Sequence, residues 1–243
     1  NRVSTARTAS IQRPNSTYVD DVYQLLNGGK IDHDALQMSI DKRFSNNYRF
    51  RISYTLGNTR GNTRQGDAQS VNTQVAGDLN LANNWGPTDF DRRHNLVSNF
   101  TVAVPGTGGL RVSGIMRVRS GGRFSLVDST TDSDRNGTAN NEWLPAGTYS
   151  GAGTDAYTVD YAGGRNGGVG PKYFQVDGRA GYTLEMPNAD TLEAYVDFIN
   201  ITNNSNFNQP SGDRRRSSTY LILRSLVNNG LPRQLQLGLR YAY

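Results

Sequence analysis

The sequence has no cysteine, and this absence removes several kinds of chemistry at once. A chain without cysteine can form no disulfide framework, no thiolate metal site and no cysteine nucleophile. Histidine is almost as scarce, since His33 and His94 are the only two, and they lie too far apart in sequence to suggest a metal site. Lysine is limited to Lys30, Lys42 and Lys172, so arginine supplies most of the positive charge.

Long apolar runs are also missing. No stretch approaches the roughly 18 consecutive apolar residues of a membrane-spanning helix. Only 35% of the 243 residues are hydrophobic and 19% are charged, while glycine alone contributes 27 residues. This composition argues against a helical bundle, which needs Ala, Leu, Glu and Lys. It leaves membrane-spanning strands open, because a strand needs apolar residues only at alternate positions.

The charge balance is mildly basic, with 26 basic and 21 acidic residues and a formal net charge of +5. The basic residues are scattered rather than gathered in one stripe, so we expect no nucleic-acid partner. The sequence starts at Asn1, and no apolar stretch resembles a signal peptide. We therefore expect a mature piece or an internal fragment of a longer protein.

Alternation of apolar and polar residues is the strongest positive signal. Leu36, Met38 and Ile40 alternate with polar residues, and the same pattern resumes at residues 48–56 after a polar turn at 45–47. Two alternating runs joined by a short turn predict a β-hairpin. The alternation predicts further hairpins, a last strand and a weaker first strand, at residues 96–104 with 110–118, 174–186 with 192–198, 235–243, and 17–25.

The connections between these strands alternate in length. The turns near 45–47, 105–109 and 187–190 are short, whereas the segments near 57–93, 121–172 and 203–232 are long, polar and rich in glycine and asparagine. Compact domains rarely carry several such loops. Short periplasmic turns and long extracellular loops are typical of bacterial outer-membrane barrels, and strands of about 9–11 residues can cross a bilayer at a tilt.

Several motifs in this frame carry a family resemblance. They lie at residues 35–46 (ALQMSIDKRFSN), 53–56 (SYTL), 86–94 (GPTDFDRRH), 113–115 (SGI), 120–124 (SGGRF), 164–166 (GRN), 176–177 (VD), 198–203 (FINITN), 206–207 (NF) and 232–240 (PRQLQLGLR). In them the sequence resembles the C-terminal barrel region of TonB-dependent outer-membrane receptors, specifically the Oar-like group with a carboxypeptidase-regulatory-like N-terminal domain. The resemblance covers residues 32–243, and it departs at Phe124, where the family often has proline.

The resemblance implies an all-β fold, namely an antiparallel transmembrane β-barrel that the family builds from about 22 strands around a plugged lumen. About seven or eight strands cannot form such a barrel. We therefore expect residues 1–243 to be its C-terminal portion and, as an isolated piece, an open curved sheet. A closed eight-stranded barrel and a soluble β-sandwich module for binding or adhesion are the alternatives. The sandwich predicts that Phe50, Phe100, Val196 and Leu237 are buried against a second sheet.

The resemblance also implies a function and partners. The function is uptake or export of a large solute across the bacterial outer membrane, without catalysis. The expected partners are outer-membrane lipid, the TonB complex acting through a plug domain absent from this chain, the barrel-assembly machinery and a solute that the sequence does not identify. The sequence contains no nucleophile elbow and no His-Glu-x-x-His motif, so we expect no catalytic residues, and no ligand-binding residue can be assigned.

The last strand has apolar residues at every second position and ends in an aromatic ring. This pattern suits a strand that faces lipid, with its last ring at the membrane interface. In the family it resembles the signal that the barrel-assembly machinery reads, whereas the alternative interpretation is an ordinary half-buried edge strand. The residues concerned are Leu235, Leu237, Leu239, Tyr241 and Tyr243.

Charged residues occupy the polar positions of the strands. They are Arg43, Arg49, Arg51, Arg111, Arg117, Arg119, Arg179 and Arg240, against Asp41, Asp177, Glu185, Glu193 and Asp197. One interpretation is a basic conduit that attracts anionic solutes. The favoured interpretation is a ladder of cross-strand ion pairs that braces the wall or the plug, because neighbouring charges are often of opposite sign.

Two further sets of residues are candidates for a specific role. Asp132, Asp134 and Asn136, followed by Gly137 and Glu142, resemble the start of a calcium loop, although Glu142 is one residue short of the usual position. Calcium is thus the one candidate cofactor, and a cluster of Asx turns is the alternative. The second set, formed by Asp91, Arg92, Arg93 and His94, could touch ligand, but we favour bracing of a loop base by charge-assisted hydrogen bonds.

Overall fold

The structure is a computed structural model that describes residues 28–62, 84–131, 142–160, 165–227 and 230–243. The predicted weak strand at residues 17–25 lies outside these ranges. Among the described residues, no helix is long and apolar enough to span a membrane. A 3₁₀ turn, Pro187–Ala189, lies between two of the long strands.

The secondary structure is almost entirely β. In chain order the strands are β1 (Ile31–Ser45), β2 (Tyr48–Gly61), β3 (Gly86–Pro87), β4 (His94–Ala103), β5 (Leu110–Arg119), β6 (Arg123–Phe124), β7 (Gly147–Ser150), β8 (Ala156–Val159), β9 (Gly168–Val169), β10 (Tyr173–Glu185), β11 (Thr191–Ile199) and β12 (Gln234–Ala242). The predicted all-β class is therefore confirmed.

One large antiparallel sheet dominates the molecule. Its strands follow the order β1-β2-β4-β5-β10-β11-β12, and the short β3 pairs with β2 beside this path. Within the described residues β1 and β12 do not pair with each other, so the sheet is open at both edges. The prediction of an open antiparallel sheet is confirmed, although β1 with 15 residues and β2 with 14 are longer than expected.

The strand register brings apolar positions opposite one another. Leu36 lies opposite Leu56, and Phe50 lies opposite Phe100. Near the other edge of the sheet, Val196 lies opposite Leu237. Side chains directly opposite each other point to the same face of a sheet. Most apolar residues of the long strands therefore share one face, here called the apolar face, and most charged residues share the other, the polar face.

The first hairpin turn fixes the register of β1 and β2. Asn46 and Asn47 have φ angles of 51° and 68°, and two successive positive φ values define a type I′ turn. Asparagine adopts this conformation more readily than most residues. A bulge lies between the pairs Lys42–Phe50 and Ser45–Tyr48, where the register of β1 shifts. The turn predicted at 45–47 is thus present, with the two asparagines at its tip.

The apolar face is uncovered. Leu237 is 79% exposed, Leu239 is 75% exposed and Phe100 is 44% exposed. Phe50 and Val196 are only half-buried, and no other sheet in the described part of the chain covers them. The burial that the β-sandwich alternative predicts for Phe50, Phe100, Val196 and Leu237 is therefore wrong, because the chain forms a single layer here.

The buried hydrophobic core lies in the long connections and not in the large sheet. We call the described parts of two connections the cap, namely residues 120–131, 142–160, 165–172, 200–227 and 230–233. Within the cap, β6 pairs with β9 and β7 pairs with β8. The core side chains of the cap are Phe124, Leu126, Leu144, Tyr157, Val159, Tyr220 and Leu221.

At two positions in the cap the backbone segments lie so close together that only glycine fits. A Cβ atom on Gly121 would lie 1.8 Å from the carbonyl oxygen of Gly170, and one on Gly212 would lie 1.9 Å from that of Ser125. The rings of Phe124 and Tyr157 meet edge to face with centroids 5.3 Å apart. The sequence predicts only polar loops in these segments, whereas the structure shows segments with a hydrophobic core of their own.

The hydrophobic core lies in the cap and not in the large sheet, which we call the wall. A substitution in this core should therefore affect the cap and leave the wall unchanged. Leu126 is 0% exposed, so Leu126→Ala removes buried methyl groups and should destabilise the cap by about 2–5 kcal/mol. Hydrogen exchange measured on the full-length protein in detergent should accelerate in residues 120–131 and 142–160. Amides of β11 and β12 should keep their protection, because the lost contacts lie in the cap.

Leu226→Ala is the matched control, because Leu226 lies in the same cap and is 41% exposed. We expect this change to leave exchange in the cap almost unaffected. Equal acceleration by both substitutions, or loss of protection in β11 and β12, would contradict a separate hydrophobic core in the cap.

Candidate functional site

The cap base is the polar region around Asp91, where residues of the cap meet the end of β2. Asp91 lies at its centre and is 2% exposed. Its Oδ1 atom accepts a hydrogen bond from the backbone N–H of Thr59 at 2.9 Å, and its Oδ2 atom accepts one from Nε of Arg123 at 3.0 Å. One carboxylate thus joins β2 to β6. Hydrogen bonds of this kind are strong because the groups are charged and largely withdrawn from water.

Arg92 and Arg93 contribute in different ways. Nη1 of Arg92 donates to the carbonyl oxygens of Asp89 at 3.3 Å and Asp91 at 3.0 Å. Burial lowers the pKa of Arg92, the charge of Arg119 lowers it further, and Asp91 opposes both effects. Arg93 acts through its backbone, since its carbonyl oxygen accepts the N–H of Gly57 at 3.0 Å.

His94 contacts the cap through its backbone, whose N–H donates to Oγ of Ser120 at 2.9 Å, while its side chain lies elsewhere. It is the first residue of β4 and lies two positions before Leu96, so it belongs to the apolar face. Its Nδ1 atom is 2.7 Å from the hydroxyl of Tyr54, and the two rings stack with centroids 6.2 Å apart. The structure therefore divides the predicted group. Asp91 and Arg92 form side-chain contacts at the cap base, whereas His94 contacts an aromatic ring of the wall.

Two residues that the sequence analysis did not single out tie the cap base together. Arg165 is 7% exposed, and its Nη1 atom donates to the carbonyl oxygens of Gly61 at 3.0 Å and Asn84 at 2.8 Å. Nδ2 of Asn166 donates to the carbonyl oxygen of Pro87 and to Oδ1 of Asp89, both at 2.9 Å. These residues appeared only within a family motif, because no periodic pattern marks them.

A second set of buried polar residues joins the cap to β10 and β11. Asn200 and Asn206 are each 0% exposed. Nδ2 of Asn200 donates to the carbonyl oxygen of Leu231 at 2.8 Å, while its backbone N–H donates to Oδ1 of Asp177 at 2.9 Å. The amide of Asn206 accepts from the backbone N–H of Phe174 at 2.8 Å and donates to its carbonyl at 3.0 Å. These amides replace strand partners where the ladder ends.

The calcium prediction falls largely outside the described residues. Asp132, Asp134 and Asn136 are not described, and the carbonyl oxygen of Glu142 accepts the N–H of Asp128 at 3.0 Å. Within the described ranges, no group of three or more His, Asp or Glu side chains could hold a metal ion. Calcium binding therefore stays a prediction.

Two neighbouring carboxylates of the cap are held in their charged form. A hydrogen bond from the hydroxyl of Thr130 lowers the pKa of Asp128, and the backbone N–H of Thr130 adds to this effect. Burial raises the pKa of Asp213, but hydrogen bonds from Ser129 and from the backbone N–H of Arg215 outweigh it, so the pKa is lowered. The Ser129 bond, from Oγ to Oδ1 of Asp213, is 2.6 Å long.

The polar face of the sheet carries the predicted cross-strand ion pairs. Nη2 of Arg51 lies 2.6 Å from Oδ2 of Asp41. Nη1 of Arg117 lies 2.9 Å from Oδ2 of Asp177. A third pair, formed by Arg179 and Asp197, is bidentate, with N–O distances of 2.5 Å and 2.7 Å. These pairs link β1 to β2, β5 to β10 and β10 to β11.

The last strand has the geometry of a lipid-facing strand. Leu235, Leu237, Leu239 and Tyr241 are all more than half exposed on the apolar face, and Tyr243 is fully exposed. The hydroxyl of Tyr241 donates to Oδ2 of Asp190 in the β10–β11 turn at 2.7 Å. Recognition of these residues by the assembly machinery stays a prediction.

The contacts of Asp91 lead to a direct test of bracing. Asp91→Asn removes the charge that Arg123 faces at the cap base. Since breaking a buried pair leaves an uncompensated charge, we expect a loss on the order of 3 kcal/mol. The amide of Thr59 should then exchange faster in the full-length protein. Arg93→Gln is the control, because Arg93 contributes its carbonyl and its side chain is exposed. Unchanged exchange at Thr59 in Asp91→Asn would rule out bracing by this carboxylate.

Comparison with known proteins identifies the family of this fold. The sequence matches a family model described as an outer membrane beta barrel domain over residues 1–236. A search of curated proteins and a search of solved structures each found no match. The family match covers nearly the whole chain, and the structure has the antiparallel sheet that such a domain requires. The chain belongs to the family of outer membrane beta barrel domains, and its location is the bacterial outer membrane.

Proposed function

We propose that the chain is the C-terminal part of the barrel wall of a TonB-dependent receptor of the Oar-like group, which moves a large solute across the outer membrane without catalysis. The observation that carries the proposal is the open sheet, whose two edge strands β1 and β12 have no second partner in the described part of the chain. Backbone groups left unpaired in lipid cost several kcal/mol each, so such edges need further strands.

The motifs quoted above support the receptor assignment within the outer-membrane family. They follow the order of the Oar-like group from residue 35 to residue 240. The assignment gives each part of the structure a place. The apolar face meets lipid, the polar face lines the lumen, the cap lies on the extracellular side, and the short turns lie in the periplasm.

The remaining parts of the mechanism belong to the same proposal. A plug domain elsewhere in the full-length protein would close the lumen and contact the TonB complex, which supplies energy from the inner membrane. The barrel-assembly machinery would insert the wall, starting from the signal in β12. No observation favours the β-sandwich module, because its second layer is absent from the described residues.

The lipid-facing role of the apolar face can be tested with two adjacent residues. Leu237→Arg places a charge on the apolar face, which costs about 2–4 kcal/mol at the bilayer midplane. Gln236→Arg is the matched control, since Gln236 is the preceding residue on the polar face. In the full-length protein we expect Leu237→Arg alone to reduce the folded fraction in outer membranes, measured by heat-modifiable migration on gels. Equal reduction by both variants would exclude this orientation.

The receptor assignment is tested by binding to TonB. The full-length protein, purified from outer membranes, should have a mass several times the 26.7 kDa of this chain. It should bind the purified periplasmic domain of TonB in calorimetry, while an unplugged porin from the same membranes should not. A mature protein of about the size of this chain, or one that shows no TonB binding, would exclude the receptor and favour a small complete barrel.

A further inference from the structure

The arginines of the polar face differ in their partners: Arg119 stacks on the ring of Tyr173, Arg240 lies opposite Glu193, and the other six differ in whether they form ion pairs. Arg51, Arg117 and Arg179 form ion pairs with acidic residues of the same face. Arg43 and Arg111 form neither ion pairs nor side-chain hydrogen bonds with any described residue. Arg49 forms a single hydrogen bond, from its Nε atom to Oγ1 of Thr101 at 3.4 Å. Arg43, Arg49 and Arg111 are exposed, and we call them the arginine patch.

The arginine patch lies at the end of the sheet where the short turns are. Arg49 is the second residue of β2, and Arg111 is the second residue of β5. The bulge of β1 sets Arg43 and Phe44 opposite Arg49, between the pairs Lys42–Phe50 and Ser45–Tyr48. The three charges therefore belong to three strands, with only β4 between β2 and β5.

Small residues separate the two sides of the patch. Arg49 lies opposite Thr101, and Arg111 lies opposite Ala103. Neighbouring strands are about 4.8 Å apart and successive residues about 3.3 Å, so two strand spacings and the two-residue offset along β4 place the Cα atoms of Arg49 and Arg111 about 12 Å apart. The short side chains of β4 thus leave room between two long guanidinium arms. A dicarboxylate or a diphosphate has the size to bridge such a gap.

No acidic side chain of the described residues forms an ion pair with the patch. Asp41, the nearest acid on β1, is already bound to Arg51. On the far side, the carboxylate of Glu193 lies over Gly181, which pairs with Arg111, but it forms no ion pair with Arg111. Like charges placed opposite each other, as at Arg43 and Arg49, destabilise a sheet. A bound anion would offset this repulsion, and the planar guanidinium fork matches carboxylate and phosphate groups.

We propose that the arginine patch is an anion-binding subsite of the lumen wall, which selects solutes that carry at least two carboxylate or phosphate groups. The inference rests on the proposed function, because that function assigns the polar face to the path of the solute. A concentration of one sign of charge on a lumen wall also raises the local concentration of the opposite ion. The ion pairs of this face involve Arg51, Arg117 and Arg179 and none of the three patch residues.

The test uses the full-length protein in detergent at low ionic strength, with citrate and inorganic pyrophosphate as probes in calorimetry. The patch variant combines Arg43→Gln, Arg49→Gln and Arg111→Gln. The matched control combines Arg214→Gln, Arg215→Gln and Arg216→Gln, which removes the same charge from exposed side chains of the cap. We expect at least one probe to bind the unmodified protein, with a dissociation constant that rises at least tenfold in the patch variant and less than twofold in the control.

Binding of citrate alone would identify a carboxylate solute, and binding of pyrophosphate alone a phosphate solute. If the patch variant fails to fold, Arg49→Lys keeps the charge but loses the guanidinium fork, and it should still weaken binding severalfold.

Absence of heat with both probes in the unmodified protein, or equal weakening in the patch variant and the control, would overturn the subsite. A protein that binds TonB but neither probe refutes the subsite alone, whereas one that binds a probe but not TonB refutes the receptor assignment.

Discussion

The structure depends on one constraint, which is that every backbone N–H and C=O group inside a membrane must find its partner within the protein. An antiparallel ladder meets this constraint, and it forces successive side chains onto opposite faces. One face can then be apolar for lipid while the other is polar for water. This explains why a chain of which only 35% of the residues are hydrophobic can form such a sheet, since only alternate positions of the strands need to be apolar.

A wall of one layer has no interior, and this determines where the buried core lies. The strands bury few side chains completely, and the polar face is held by ion pairs such as Arg179–Asp197. Full burial of Leu126 and Leu221 occurs instead in the cap, where segments from two connections pack on each other. The wall is thus stabilised by backbone pairing and by lipid, while the cap is stabilised like a small soluble domain.

The features that could be predicted from the sequence are those that depend on local spacing. The phase of each strand follows from alternation, which puts Leu36 and Leu56 on one face. The Asn46–Asn47 turn alone would set Leu36 opposite Gly57, and the bulge of β1 shifts the register so that Leu36 pairs with Leu56. The same phase puts His94 on the apolar face. Its backbone N–H donates to Oγ of Ser120 and its carbonyl oxygen accepts the N–H of Ser120, both at 2.9 Å, so bracing of a loop base by His94 stays a prediction.

The features that could not be predicted depend on contacts between distant parts of the chain. Arg165 donates to the carbonyl of Gly61 across 104 positions in sequence. The end of β2 has no apolar alternation. It pairs with β1 up to Gly61, and beyond its last pair with β4, Asp91 accepts the N–H of Thr59. Glycine-rich, polar segments look like unstructured loops by composition, so the core of the cap was not expected.

The register also decides the electrostatics of the polar face. Asp41 lies opposite Arg51 and Asp197 lies opposite Arg179, so these charges neutralise each other. At the next polar-face position toward the short turns, Arg49 lies opposite Thr101 and Arg111 lies opposite Ala103. Neither Thr101 nor Ala103 is acidic. A shift of one residue would expose the apolar set to the lumen, so lipid fixes the register strongly. The register thereby fixes which arginines meet an acid, and the ion pairs and the arginine patch lie at different heights of one sheet.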